Sequence, residues 1–199
     1  KFPFYVTLHP YNGFWDMKYE HKGKMRIALL ILFLLVLNVT LQKQYSGFLV
    51  NFADPRYLNS LDDLTYTVLP FFLFCIANWS ITTLMEGEGR FKDIVMSTAY
   101  ALLPIVVVNF PLTFISRFIT QEETAFYVLI NGFAVVWFLY LLFVGNMTVH
   151  QFTASKTAIT LLLTVLAMGI AVFLGTLAYS MAMQIYWFVV DVYRELIFR

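Results

Sequence analysis

The feature that most constrains this chain is a set of five long runs without a charged residue. The longest extends over 34 residues from Thr157 to Val190, and others cover 27–42, 65–85 and 94–116 or begin at Thr124. A helix needs about 20 apolar residues to cross the hydrocarbon core of a bilayer. Because helices also satisfy their own backbone hydrogen bonds in lipid, the sequence predicts an all-α membrane protein with a bundle of five transmembrane helices.

Composition supports the membrane assignment and excludes several function classes. Hydrophobic residues make up 60% of the chain and charged residues 13%, against about half and a quarter in soluble proteins. The net charge of +1 provides no field that would attract nucleic acid. Cys75 is the sole cysteine, so an internal disulfide is excluded and a thiolate metal site is not expected. Partners are therefore expected within or beside the lipid bilayer.

A single domain, 1–199, accounts for the chain. An interfacial segment is predicted over 1–24, and the spans are predicted at about 25–43, 65–85, 94–116, 125–146 and 157–182. The run that begins at Thr157 is too long for one untilted span, so a division is predicted near Met183. The tail, 184–199, alternates apolar and charged residues at helical spacing, which predicts an interfacial amphipathic helix.

The segment before the first span combines aromatic and basic residues, a pattern typical of the membrane surface. Five spans place the two termini on opposite sides. If the N-terminus is inside, eight lysines and arginines lie inside and five outside. The positive-inside rule therefore predicts a multi-pass protein of the cell membrane with a cytoplasmic N-terminus. At the second span, Ser60 and Asp63 form a capping-box pattern.

The octet EGEGRFKD, residues 86–93, is the most charged stretch and separates the second and third apolar runs. It lacks the GK[ST] ending of a phosphate-binding loop. We interpret it as a helical hairpin turn in which Gly87 adopts the left-handed conformation and Asp93 lies in the first turn of the next helix. Its two glutamates are expected to pair weakly with Arg90 and Lys92.

The octet also carries a family resemblance. The pattern L-x-x-G-x-G-x-F, followed by an alanine-tyrosine-alanine segment and a proline, resembles the bacterial branch of the Yip (Ypt-interacting protein) domain family. The residues are Leu84, Gly87, Gly89, Phe91, Tyr100 and Pro104. The resemblance extends from HPYNGFWDMKYE to the C-terminal YRELIFR and implies a multi-pass membrane fold. Eukaryotic members bind Rab-type GTPases and carry a cytosolic DLYGP-type motif that this sequence lacks, so the resemblance does not extend to GTPase binding.

Catalytic and metal-binding patterns are weak. His9, His21 and His150 lie in predicted surface segments without ligand spacing, and Cys75 lies in a predicted span away from them. We therefore expect no enzyme activity, no catalytic residue, no metal and no cofactor. Several polar residues fall within the spans, and their predicted role is hydrogen bonding between helices. They are Asn78, Ser80, Thr82, Thr83, Asn109 and Asn131.

The fifth span carries small residues at helical spacing, which let two helix backbones approach closely. This ladder consists of Ala167, Ala171, Gly175, Ala178 and Ala182. Packing inside the bundle and contact with a partner are both compatible with it. The favoured hypothesis is a non-catalytic adaptor that binds another integral membrane protein, with a transporter as one candidate. The alternative is a small permease for an uncharged solute or lipid.

Overall fold

The computed structural model describes residues 1–51 and 59–197, and every regular element in these two ranges is helical. Two short helices precede six longer ones. Their bounds are α1 Phe2–Leu8, α2 Pro10–Tyr19, α3 Met25–Tyr45, α4 Ser60–Leu84, α5 Phe91–Ala101, α6 Leu103–Ile115, α7 Thr124–His150 and α8 Ala154–Ile197, with a 3₁₀ turn at Gln121–Glu123.

Five helical units are long and apolar enough to cross a membrane: α3, α4, the pair α5 and α6, α7 with its preceding turn, and α8. The predicted all-α class and the five spans are therefore confirmed. The N-terminal segment forms α1 and α2, which pack on each other and on α5, α6 and α7. α1 thereby reaches the middle of the third span, where the ring centroids of Phe2 and Tyr100 are 6.1 Å apart, whereas α2 lies against the end of α7.

The centre of the bundle is α5, which contacts α1, α3, α4 and α7. Residues 94–101 are all buried, because neighbouring helices surround this short helix. Tyr100 is completely buried, and its hydroxyl accepts a hydrogen bond from the Lys24 backbone N–H at 3.3 Å. The core thus fixes the start of α3 against the middle of the third span.

The third span, predicted over 94–116, is divided into two helices at Leu102. Pro104 is the second residue of α6 and has no N–H to donate to the carbonyl one turn earlier. The Leu102 N–H bonds to Ala99 three residues back, at 3.2 Å. The proline therefore accounts for the interruption.

Polar residues connect the helices within the apolar bundle. The Asn78 amide donates to the Thr164 hydroxyl of α8 at 3.3 Å, and Asn131 donates to Asn109 at 3.4 Å. The predicted interhelical role is confirmed for these asparagines. Within the described ranges, Ser80 and Thr83 do not bond across helices. Both are exposed, and their hydroxyls donate hydrogen bonds to carbonyls of their own helix.

The predicted capping box at the start of α4 is wrong. Asn59 caps the helix, and its side-chain oxygen accepts from the Leu61 N–H at 3.0 Å. Asp63 is buried and forms an ion pair with Lys43 of α3. The carboxylate therefore binds the neighbouring helix, where a buried charge requires a counter-charge.

The predicted division of the last helical region near Met183 is also absent, because α8 is a continuous helix of 44 residues. The span predicted at 157–182 and the separate helix predicted at 184–199 are one element as far as Ile197. Residues 176–197 contain neither glycine nor proline, so nothing in the sequence interrupts the helix there. At about 1.5 Å per residue, α8 is about twice as long as a hydrocarbon core is thick.

Candidate functional site

The turn between α4 and α5 has a Schellman geometry, in which the N–H of Gly87 donates to Thr82 at 2.8 Å and that of Glu86 to Thr83 at 3.3 Å. The left-handed residue is Glu86, with φ of 59°, and not Gly87 as predicted. The turn closes one residue earlier than the glycine pattern indicates. Gly87 therefore serves a purpose other than a positive φ.

That purpose is the close approach of His150, the last residue of α7. A Cβ atom at Gly87 would lie 2.5 Å from His150 Nδ1, and one at Gly89 would lie 2.6 Å from His150 Cε1. Both distances are shorter than carbon atoms tolerate without a shift of the neighbour. The two motif glycines therefore create the space that the imidazole occupies.

His150 is 1% exposed, which corrects its prediction as a surface residue. Its Nδ1 accepts from the Gly89 N–H at 3.3 Å, and its ring stacks on Phe152 with centroids 5.4 Å apart. Within residues 1–51 and 59–197, Nε2 has no hydrogen-bond partner. His150 thus connects the end of α7 to the α4–α5 turn.

Lys18 of α2 joins the same region. Its ammonium group donates to the Val149 carbonyl at 2.8 Å and lies 3.4 Å from the Glu88 carboxylate, while its side chain is 11% exposed. The Tyr19 hydroxyl donates to the same carboxylate at 3.2 Å. Glu88 thus pairs with α2, and not with Arg90 or Lys92 as predicted. We call the contacts among Lys18, Glu88, Gly87, Gly89 and His150 the loop junction.

The α2 helix is placed by its own amphipathic pattern. Phe14 and Met17 are buried, whereas Trp15 and Tyr11 are exposed. Phe14 packs against Gly145 of α7, where an added Cβ would lie 3.1 Å from the phenyl ring. Lys22, just after α2, donates to the carboxylates of Glu20 and Asp16, and these hydrogen bonds raise the pKa of its ammonium group.

A cleft of about 570 Å³ opens beside the loop junction, between α2 and the start of α5. Lys18, Tyr19, Glu88, Arg90, Lys92 and Asp93 line it. Asp93 accepts from the Arg90 backbone N–H at 3.2 Å, which confirms its predicted place in the first turn of α5. Among the described residues, no carboxylate lies within ion-pair distance of the Arg90 or Lys92 side chains.

A family comparison gives this geometry a context. The model of the Yip1 domain family matches residues 4–177, which extend from within α1 to more than halfway along α8. The chain belongs to the Yip1 domain family. No curated protein and no solved structure matched it. Together, the family and the five apolar helical units identify a multi-pass membrane protein.

The remaining predicted motif residues of this Yip1-domain chain lie in different environments. Pro104 is buried, and Tyr100 fills the core. Leu84 is 81% exposed, and Phe91 is partly exposed and packs edge-on against Trp79 with centroids 6.0 Å apart. The motif therefore combines core residues, glycines at a close approach and exposed apolar side chains.

The small-residue ladder lies far from the loop junction. Only the first part of α8 packs on the bundle, through the buried threonines Thr157, Thr160 and Thr164. None of residues 165–197 is buried, and an added Cβ at Gly169 or Gly175 would meet nothing within 4 Å. Ala167 is half-buried, and the other ladder residues, Ala171, Gly175, Ala178 and Ala182, are exposed.

Possible metal ligands are scattered in the part of the chain that the structure describes. No group of three histidine, cysteine, aspartate or glutamate side chains there could hold a metal ion.

Sequence reasoning missed Lys18 and His150 as partners of the turn. The glycine spacing indicated a close contact at the turn. It could not identify the contacting residues, because they lie at least 61 residues away in the chain.

Proposed function

We propose that this Yip1-domain protein is a non-catalytic membrane adaptor that binds another integral membrane protein through the distal part of α8, residues 165–197. The observation that carries the proposal is the complete lack of buried residues in this part of a 44-residue helix. The rest of the chain buries one face of each long helix, so this segment differs from every other span.

The ladder specifies what kind of partner fits. Small side chains next to lipid provide little contact, whereas against a second helix they allow close backbone approach and dense van der Waals packing. Ala171 and Gly175 are one turn apart and exposed. A transmembrane helix of another protein, for example a transporter subunit, therefore suits this surface. The further expectations of a bacterial cell membrane and a cytoplasmic N-terminus belong to this proposal and rest on the motif and the positive-inside count.

The permease alternative is less well supported. A pore would need polar side chains free to face a solute, but four intramembrane asparagines already bond across helices. Asn38 donates to the Val106 carbonyl at 3.3 Å, and Asn109 accepts from Asn131. These polar groups are therefore engaged in holding helices together.

The experiment is affinity purification from native membranes in a mild detergent, followed by mass spectrometry. The double variant Ala171→Leu/Gly175→Leu adds bulk to the ladder, and Thr176→Leu/Ser180→Leu is the matched control on roughly the opposite face. Overpacking of about 1–3 kcal/mol corresponds to an association weaker by roughly 5- to 150-fold. Both variants should keep the helicity of the wild type, because all four residues are exposed.

The proposal predicts that one integral membrane protein copurifies stoichiometrically with the wild type and the control but not with the ladder variant. Equal recovery of that protein with both variants would contradict the adaptor role of the ladder. Solute flux through liposomes that contain this protein alone would favour the permease instead.

A further inference from the structure

The cleft beside the loop junction carries an inference that does not depend on the adaptor proposal. We propose that it binds a phosphate-bearing anion, the headgroup of an anionic phospholipid, through the side chains of Arg90 and Lys92. The argument rests on charge pairing, on the position of the cleft in the bundle and on the apolar surface beside it.

Charge pairing leaves two cations available. Lys18 is engaged by Glu88 and by the Val149 carbonyl, and Asp93 accepts a backbone N–H at the start of α5. The acidic groups of the cleft therefore already have donors. Arg90 and Lys92 have no carboxylate within ion-pair distance among the described residues. A guanidinium group matches the oxygens of phosphate bidentately, and an ammonium group adds a point charge.

The cleft lies at one end of the helical bundle. The start of α5 and the ends of α4 and α7 meet there, as the contacts of Lys18 with Glu88 and with the Val149 carbonyl show. A bundle end is the level of lipid headgroups in a membrane. Trp15 and Tyr19, whose rings lie 4.2 Å apart, are partly exposed on α2, as expected of an aromatic belt.

Apolar surface next to the cations favours a lipid over a soluble phosphate compound. Phe91 lies between Arg90 and Lys92 in the chain and packs on Trp79. Leu84, at the end of α4, is 81% exposed and Trp79 is 45% exposed. Acyl chains can contact these side chains while the headgroup enters the cleft, whereas inorganic phosphate would gain nothing from them.

The test compares three probes with the full chain in mild detergent: phosphatidylglycerol, phosphatidylcholine and inorganic phosphate. Binding is measured by the rise in Tm and by lipid retention in native mass spectrometry. The variant Arg90→Gln/Lys92→Gln should bind phosphatidylglycerol about tenfold more weakly. The control Lys24→Gln/Arg26→Gln removes two exposed cations at the start of α3, outside the cleft, and should bind like the wild type. Arg90→Lys/Lys92→Arg, which keeps both charges, should retain most binding.

Protection of the wild type by phosphatidylglycerol, lost in the glutamine variant alone, would support the lipid site. Equal protection by inorganic phosphate, with the same loss, would keep the phosphate site but assign a soluble ligand to it. No preference for phosphatidylglycerol or phosphate over phosphatidylcholine, or an equal loss in the glutamine variant and the control, would overturn the proposal.

Discussion

The loop junction and the distal part of α8 contrast in how their glycines are used. At the junction, Gly87 and Gly89 admit a buried histidine at distances that exclude a Cβ atom. On α8, Gly169 and Gly175 face open space. The glycines at the junction thus contact side chains of the same chain, whereas the glycines on α8 contact no other described helix. The contrast indicates that the first region holds the fold together and that the second is available for association.

The largest effect should come from filling the junction. Gly89→Val places a Cβ where His150 Cε1 and Val149 Cγ1 already lie, at 2.6 and 2.7 Å. Overpacking of this kind destabilises by about 1–3 kcal/mol, so thermal unfolding in detergent should begin at a clearly lower temperature. A Tm equal to that of the wild type would mean that His150 moves aside freely, and the contrast with α8 would fail.

A second effect concerns the attachment of α2. Lys18→Met keeps a similar apolar stem but removes the side-chain donor of the Val149 carbonyl and leaves the Glu88 carboxylate with only the Tyr19 hydroxyl, which should cost about 1–3 kcal/mol. Lys22→Met removes an exposed ammonium group from the same segment and is the control, with no measurable change in Tm expected. If both variants unfold alike, the contact between α2 and the turn does not stabilise the bundle.

A smaller effect, opposite in sign, is expected at Glu86. The left-handed conformation costs a residue with a side chain about 1–2 kcal/mol of conformational free energy, and glycine relieves that strain. Glu86→Gly should therefore stabilise by about 1 kcal/mol, and the control Glu86→Gln should leave stability unchanged. Unfolding curves of the three proteins in the same detergent would reveal the difference. A loss of stability with glycine would show that the carboxylate at this position contributes more than the backbone strain costs.

The smallest effect is predicted on α8. Gly169→Ala adds a methyl group in open space and improves helix propensity by roughly 0.5–1 kcal/mol. Its Tm should equal or slightly exceed that of the wild type. A marked decrease would reveal close packing at this position and would contradict the description of α8 as unpartnered within the chain.

The sequence predicted the bundle well because composition and run length are sufficient to identify spans. It predicted interhelical bonding of Asn78 and Asn109 for a similar reason, since a polar group in lipid needs a partner. The identity of those partners could not be predicted, because pairs such as Asn78 and Thr164 are 86 residues apart. Periodicity describes one helix and carries no information about which helix lies beside it.

The same limit explains the errors at the turn. The pattern E-G-E-G correctly indicated a chain reversal, but the interpretation assigned the left-handed conformation to Gly87 by default. In the structure Glu86 has the positive φ, and Gly87 leaves room for His150. The undivided α8 is a different case. Residues 176–197 contain neither glycine nor proline, and the thickness of the bilayer does not by itself end a helix.

The most direct test of the central claim is photo-crosslinking in native membranes from a photoreactive residue at Ala171, with one at the control position Thr176. The account predicts that Ala171 yields a discrete adduct with one other integral membrane protein, identified by mass spectrometry, and that Thr176 yields far less of it. Adducts from Ala171 to α3–α7 of the same chain would show that the distal helix packs on its own bundle. Adducts with lipid alone would show that the ladder binds no protein, and either result would contradict the account.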